Sequence, residues 1–232
     1  MRARPVVAID GPAGAGKTSV SQRVAEALGY LRLDTGALYR SVALAALIQG
    51  VGWRDEAGLT ALTEALAARG GIRFEVAPGG EQRVLLDGED VTARIREQRV
   101  GEGASFVSAM PGVRAALLSL QRSQAAEGGV VLEGRDIGTV VFPDAEAKFF
   151  LTADTQVRAA RRLDELRARG EVPSASEVEA EVRARDARDM ERAVAPLRQA
   201  EDALLVDSSR LDLEQVVALI VERVRQIEAA LR

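Results

Sequence analysis

The chain has 232 residues, 47% of them hydrophobic and 3% aromatic, so a full core is available but must be packed from Ala, Val, Leu and Ile. The absence of Cys and His excludes disulfides, Cys/His zinc sites, thiol nucleophiles and imidazole bases, leaving carboxylates, Lys, Arg, hydroxyls and bound metal for any chemistry. A formal net charge of −4, mixed in sign along the sequence, argues against a general nucleic-acid binder.

The first predicted element is a buried strand, Val6 to Asp10. Its apolar run is too short for a signal sequence or a membrane span, and the chain is expected to be cytoplasmic. Gly11-Pro12-Ala13-Gly14-Ala15-Gly16-Lys17-Thr18 follows and matches the Walker A pattern in full. It stands between a predicted strand and a predicted helix, as that pattern requires. Its glycines let backbone N–H groups face a polyphosphate, and the helix N-terminus adds positive potential at the same point. Lys17 can bridge the β- and γ-phosphates of such a polyphosphate, and the Thr18 hydroxyl can ligate Mg²⁺. The helix is expected over Lys17 to Leu28, with Val20, Val24 and Leu28 as one stripe and Gly29 as its left-handed cap.

The second strand, Leu31 to Asp34, leads into Thr35-Gly36-Ala37-Leu38-Tyr39-Arg40. A strand ending at Asp34 delivers these residues to the carboxyl edge of a parallel sheet, where ligands of open α/β folds bind. Arg40 offers a fork that fits a phosphate. Taken alone, the stretch also reads as an N-capped helix with a surface Arg. From about Thr63 to Val100 the rhythm changes. Ile72, Phe74 and Val76 alternate with polar residues, Pro78-Gly79-Gly80 turns the chain, and Val84-Leu85-Leu86 follow. This hairpin pattern reads as a small inserted subdomain over residues 63–100.

The third strand, Val130 to Glu133, runs into Gly134-Arg135-Asp136. A carboxylate closing an apolar strand in a P-loop fold is a candidate for holding Mg²⁺, directly or through water. Arg135 beside it is a candidate phosphate clamp. The stretch alone reads equally as a charged turn. Further strands are expected at Lys148 to Thr152 and at Ala203 to Asp207. Between them residues 155–192 are dense in Arg and acids, are interrupted by Pro173-Ser174, and are expected to form a mobile helical hairpin. There Arg185, Arg188, Asp189 and Arg192 fall at i, i+3, i+4 and i+7, on one helix face. A solvated face with ion pairs has the same pattern. The last helix should start near Asp212, where Asp212 and Gln215 have capping-box spacing. Its apolar face would be Val216, Ile220, Val224, Ile227 and Leu231.

Strands alternating with helices predict an α/β fold, here a P-loop NTPase with a five-stranded parallel sheet flanked by helices. The core is expected over residues 1–62, 101–154 and 193–232, with the insert at 63–100 and a helical lid at 155–192.

The stretches IDGPAGAGKT, LDTGALYR, EGRDIGTVVFPDA and RDARDMERAVAPL, with DALLVDSS after them, occur in this order over almost the whole length. In them the chain resembles the bacterial cytidylate (CMP) kinases, nucleoside monophosphate kinases of the P-loop class. GRDIGTVVFP together with RAVAPL carries the specificity, since a generic P-loop needs neither. The resemblance implies transfer of the γ-phosphoryl group of ATP to CMP or dCMP with Mg²⁺ present, and it identifies the hairpin as the NMP-binding insert. It implies an ATP site of Gly11, Pro12, Ala13, Gly14, Ala15, Gly16, Lys17, Thr18 and Ser19, joined by the lid residues Arg158 and Arg162. Thr35, Arg40 and Arg135 would hold the acceptor phosphate. Ser105, Arg114 and Asp136 would read the cytosine, and Arg185 and Asp189 would hold the sugar. Arg188 and Arg192 would lie near the phosphates being joined, so that Lys17, Arg135, Arg188 and Arg192 form the catalytic set. Glu133 would reach Mg²⁺ through water, beside Thr18. Three places depart from common members: Thr35, where some carry Ser, Glu133, where many carry Asp, and Thr18-Ser19 after Lys17, where some carry Gly after the Lys. Only small-molecule partners are implied, with no nucleic acid and no membrane, and a monomer suffices. A P-loop kinase for another small acceptor, such as UMP or AMP, is the alternative.

Overall fold

The computed structural model describes residues 2–76, 82–123, 125–168 and 170–231. Along the chain the elements are β1 (Val6–Asp10), α1 (Lys17–Leu28), β2 (Leu31–Asp34), α2 (Thr35–Gln49), α3 (Glu56–Ala68), β3 (Ile72–Val76), β4 (Gln82–Leu86) and β5 (Glu89–Asp90). There follow α4 (Gln98–Val107), α5 (Pro111–Ser123), β6 (Val130–Gly134), β7 (Ala147–Thr152), α6 (Thr155–Ala168), α7 (Ala175–Glu191), β8 (Leu204–Asp207) and α8 (Leu213–Leu231). They divide into two compact units, the first Met1–Leu33 with Glu127–Arg232, the second Asp34–Ala126.

The first unit is built on the expected five-stranded parallel sheet, in the order β2-β6-β1-β7-β8. β1 is buried along its whole length, which is why it reads as a continuous apolar run rather than an alternating one. Its register sets Val7 opposite Val131 on one side and Ala147 on the other, and Asp10 opposite Gly134 and Phe150. β1 and β6 therefore end level, and the segments after them leave from the same edge. Helices α1 and α8 close the core, with Val20, Val24, Val216, Ile220 and Val224 packed with Val7, Ile9 and Phe149.

The local rules hold at both helices. α1 ends at Gly29, whose left-handed backbone (φ 63°, ψ 41°) directs its N–H to the carbonyls of Ala25 and Glu26. Before α8, Asp212 and Gln215 cap each other reciprocally, at 2.8 and 3.0 Å. The expected helical pair is α6 and α7, joined through Leu163, Leu166 and Val178. A complete capping box of Ser174 and Glu177 starts α7, where Pro173-Ser174 marks the break.

The second unit is larger than the insert expected at 63–100. Its antiparallel sheet, β3-β4-β5, pairs Ile72 with Leu86 and Phe74 with Val84, and β5 adds a short third strand. A hairpin with one apolar face cannot bury that face alone. Cover comes from α2 to α5, whose Leu38, Val42, Leu59, Leu66, Val100 and Leu117 form one core with Val84 and Leu86. The turn expected at Pro78-Gly79-Gly80 lies outside the described residues. Among the described residues no single helix is long and apolar enough to cross a membrane.

Candidate nucleotide site

The segment after β1 forms a cradle made mostly of backbone. Gly11 is required by close approach: a Cβ there would stand 1.9 Å from the Leu151 carbonyl oxygen, which belongs to the sheet and cannot yield. Gly14 (φ 73°) and Gly16 (φ 89°) take left-handed conformations that glycine adopts without penalty. Gly16 precedes α1 with no side chain capping the helix, an N-terminus of the kind that suits an anion. Lys17 is buried and donates to the carbonyls of Gly11 and Pro12, at 2.8 and 2.7 Å. Burial above all, reinforced by the charge of Arg135, holds the Lys17 ammonium well below the ordinary lysine range, and Glu133 opposes this. Thr18 and Ser19 are exposed at the first turn.

Glu133, at the end of β6, is 4% exposed. One carboxylate oxygen accepts from the Thr18 hydroxyl at 2.9 Å. The other accepts from Ser21 at 3.0 Å and from Arg32 on β2 at 2.6 Å. The Arg32 Nε also donates to the Ser21 hydroxyl at 3.0 Å. Neither Ser21 nor Arg32 was expected here. The signal for Ser21 was its place one turn beyond Thr18 on α1. Arg32 gave none, because it sits mid-strand.

A third unforeseen residue is Asp10. Its carboxylate accepts from the backbone N–H groups of Ile137 and Gly138, each at 2.8 Å, and so fixes the π-helical turn Ile137–Val141 that follows Asp136. Burial pushes the Asp10 pKa up to about 6; the two amides and Lys17 work against the shift, while Asp136 adds to it. The hint in the sequence was a charged residue closing a buried strand, the same hint that singled out Glu133.

Around this turn the first unit gathers most of its expected charges. Arg135 Nε donates to Asp189 Oδ2 at 2.7 Å, and Arg192 Nη2 donates to Asp136 Oδ1 at 3.3 Å. Burial works against the Asp189 carboxylate, but Arg135, Arg185 and Arg192 outweigh it and hold its pKa below the ordinary range. The helical spacing thus works for Arg185, Asp189 and Arg192, although α7 ends at Glu191 and Arg192 is its cap. Arg192 is turned back by a tight bend, in which its Nε meets the Ala195 carbonyl and Ala195 takes a left-handed φ of 51°. Arg188 is exposed.

Two lid residues are placed differently from each other. Arg162 pairs with Glu165 at 3.2 Å on its own helix. Arg158 is 5% exposed and tied to the cradle, donating to the Ala13 carbonyl at 3.0 Å.

The second unit carries Thr35, Arg40, Ser105 and Arg114. Thr35 is buried in the first turn of α2, after Asp34, whose side chain accepts from the Ala37 N–H. Arg40 donates to the Ile95 carbonyl at 3.2 Å. Ser105 and Arg114 are 8% and 7% exposed, and Arg114 donates to the Ser108 carbonyl while lying over the Tyr39 ring, 5.5 Å from its centroid. α2, α4 and α5 thus present these groups from one framework.

A family model described as cytidylate kinase matches residues 7–226. The cytidylate kinase of Citrifermentans bemidjiense is 49% identical over 222 residues, covering 95% of this chain and 93% of the relative. That of Pelotomaculum thermopropionicum is 48% identical and covers 97% of each chain. That of Pseudomonas syringae pv. tomato is 48% identical and covers 95% of each. Among solved structures, an uncharacterized protein from Eubacterium ventriosum superposes with a TM-score of 0.52 at 12% identity, over 96% of this chain and 99% of that one, a likeness of fold.

Proposed function

The chain belongs to the cytidylate kinase family, and on that premise we propose that it transfers the γ-phosphoryl group of ATP to CMP or dCMP, giving ADP and CDP or dCDP. The observation that carries this reading is the pairing, within one unit, of a backbone phosphate cradle with a group of half-buried arginines and buried acids at the same sheet edge. A cradle alone serves any nucleotide protein. Fixed arginines beside it are what transfer between two phosphates requires.

ATP occupies the cradle from Gly11 to Ser19 with Arg162 of α6 over it; Arg158, expected to join it there, instead spends its guanidinium on the Ala153 and Ala13 carbonyls and the Thr155 hydroxyl. Thr35, Arg40 and Arg135 hold the acceptor phosphate, and Arg185 and Asp189 hold the sugar. Ser105 and Arg114 donate to the cytosine acceptors, and Asp136 accepts from its exocyclic amine. Uracil presents a carbonyl in place of that amine. A buried acceptor left facing it costs about 1–3 kcal/mol, enough for tenfold or greater discrimination.

The attacking atom is a phosphate oxygen, anionic at neutral pH, so the reaction needs no general base and a chain without His can perform it. Lys17, Arg135, Arg188 and Arg192 align the phosphates and spread the charge of the transition state. Mg²⁺ fits the donors present. The Thr18 hydroxyl and the Glu133 carboxylate stand 2.9 Å apart, and both are hard oxygen donors. When bound, that ion neutralises charge on the β- and γ-phosphates. The enzyme acts in the cytoplasm as a monomer on small nucleotides, with no nucleic-acid or membrane partner.

The test is ADP formation from ATP and Mg²⁺ with CMP, dCMP, UMP, AMP, GMP or shikimate, against a control without acceptor. Rapid turnover confined to CMP and dCMP is expected. Preference for UMP or AMP would keep the kinase and remove the cytosine assignment. ATP binding without acceptor-dependent turnover would overturn the kinase reading.

A further inference from the structure

Arg158 is buried at the foot of α6, with all three guanidinium nitrogens facing protein. Nε donates to the Ala153 carbonyl at 2.8 Å, Nη2 to the Thr155 hydroxyl at 3.0 Å, and Nη1 to the Ala13 carbonyl of the cradle at 3.0 Å. The same Nη1 stands 2.7 Å from Oδ2 of Asp186 on α7. The approach of α6 to the cradle is close along the backbone too, since a Cβ on Gly14 would lie 3.0 Å from the Arg158 carbonyl oxygen. Asp186 is 8% exposed, and its Oδ1 is buried with no partner among the described residues. Its negative charge is therefore matched through a single oxygen, by Arg158. Asp186 adjoins Arg185 and lies one turn before Asp189, the two α7 residues assigned above to the acceptor sugar.

We propose that Arg158 and Asp186 are positioning residues, a buried strut that holds the acceptor-bearing helix α7 in fixed register with the ATP cradle. Arg158 grips the cradle through a backbone carbonyl and α7 through a carboxylate, using the planar fork that lysine lacks. Its role is exerted through other residues and needs no contact with ATP. In-line transfer is sensitive to this register, because a displacement of about 1 Å between reacting groups costs on the order of a hundredfold in rate. The inference rests on the kinase reading above, so the wild-type chain is first shown to turn over CMP; failure there would end that reading and not this one.

The experiment compares wild type with Asp186→Asn, Arg158→Lys and the double variant. Folding is checked by circular dichroism. kcat and both KM values are then measured, and ATP affinity is measured by calorimetry without acceptor. Asp186→Asn should leave ATP affinity within about twofold while lowering kcat about tenfold or more, with a raised KM for CMP. The double variant should be no worse than the poorer single one, since both remove one link. A folded Asp186→Asn protein with wild-type kcat and CMP KM would overturn the strut. So would an Arg158→Lys defect confined to ATP affinity, which would make Arg158 an ATP contact, and so would a loss of melting temperature in every variant with unchanged kinetics.

Discussion

The cradle at Gly11 to Lys17 and the charged cluster around Arg135 belong to the same unit but are built in opposite ways. The cradle is one continuous segment. Its shape comes from glycine backbone, and its lysine folds onto carbonyls five and six residues away. The cluster joins residues far apart in sequence, Arg135 to Asp189 and Asp136 to Arg192, through paired side chains whose acids are buried. Backbone recognition is local and tolerates the loss of one side chain. An ionic group of this kind is interdependent: Asp189 answers to Arg135, Arg185 and Arg192 together, so removing one charge changes the balance at the others.

The largest expected effect tests the cradle. Lys17→Ala should lower kcat/KM by ~10³-fold or more while the chain stays folded, as steady-state kinetics and a thermal melt would reveal. Near-normal turnover in the folded variant would remove Lys17 from the reaction. In contrast, Arg135→Ala should cost both activity and about 1–3 kcal/mol of stability, because buried Asp189 loses its hydrogen-bonded ion-pair partner and keeps only the charges of Arg185 and Arg192. A melt unchanged from wild type would show the cluster to be no more interdependent than the cradle.

Asp10 links the two regions, since it closes β1 and holds the turn after Asp136. Its pKa is raised by burial from 3.8 to about 6, so between those values the folded chain keeps a proton that the unfolded chain releases. The stability owed to that proton is complete below pH 3.8 and is lost as the pH climbs to about 6. The difference is about 3 kcal/mol at most. Asp10→Asn should erase this slope, measured as unfolding free energy at intervals from pH 4 to 7. Parallel curves for the two proteins would contradict it. The smallest effect is expected at Arg162, whose partner is the exposed Glu165 on its own helix. Arg162→Ala should alter stability by less than about 0.5 kcal/mol. Its kinetic effect should be confined to ATP, and a large change in CMP KM would tie this part of α6 to the acceptor.

Much of the fold was legible because its signals are short-range. β1 and α1 begin and end where their apolar run, Gly16 and Gly29 place them, and the Asp212–Gln215 cap is written in four consecutive residues. The extent of the second unit was not legible. Nothing between Thr35 and Gln49 says that α2 must shelter β4, a contact that exists only once Val42 and Val84 share a core. The site divides along the same line. Lys17 and Thr18 follow from spacing, whereas Arg32 beside Glu133, and Arg158 beside Ala13 and Asp186, are separated in sequence by 101, 145 and 28 residues.

The sequence by itself determined the strand-helix order, the helix caps and the phosphate cradle, because each depends on residues within a few positions and on backbone that glycine alone permits. Only the tertiary structure decided which carboxylate faces which arginine. Those pairings depend on strand order in the sheet and on the approach of α6 and α7 to it, and a buried charge is matched by whichever partner the fold delivers.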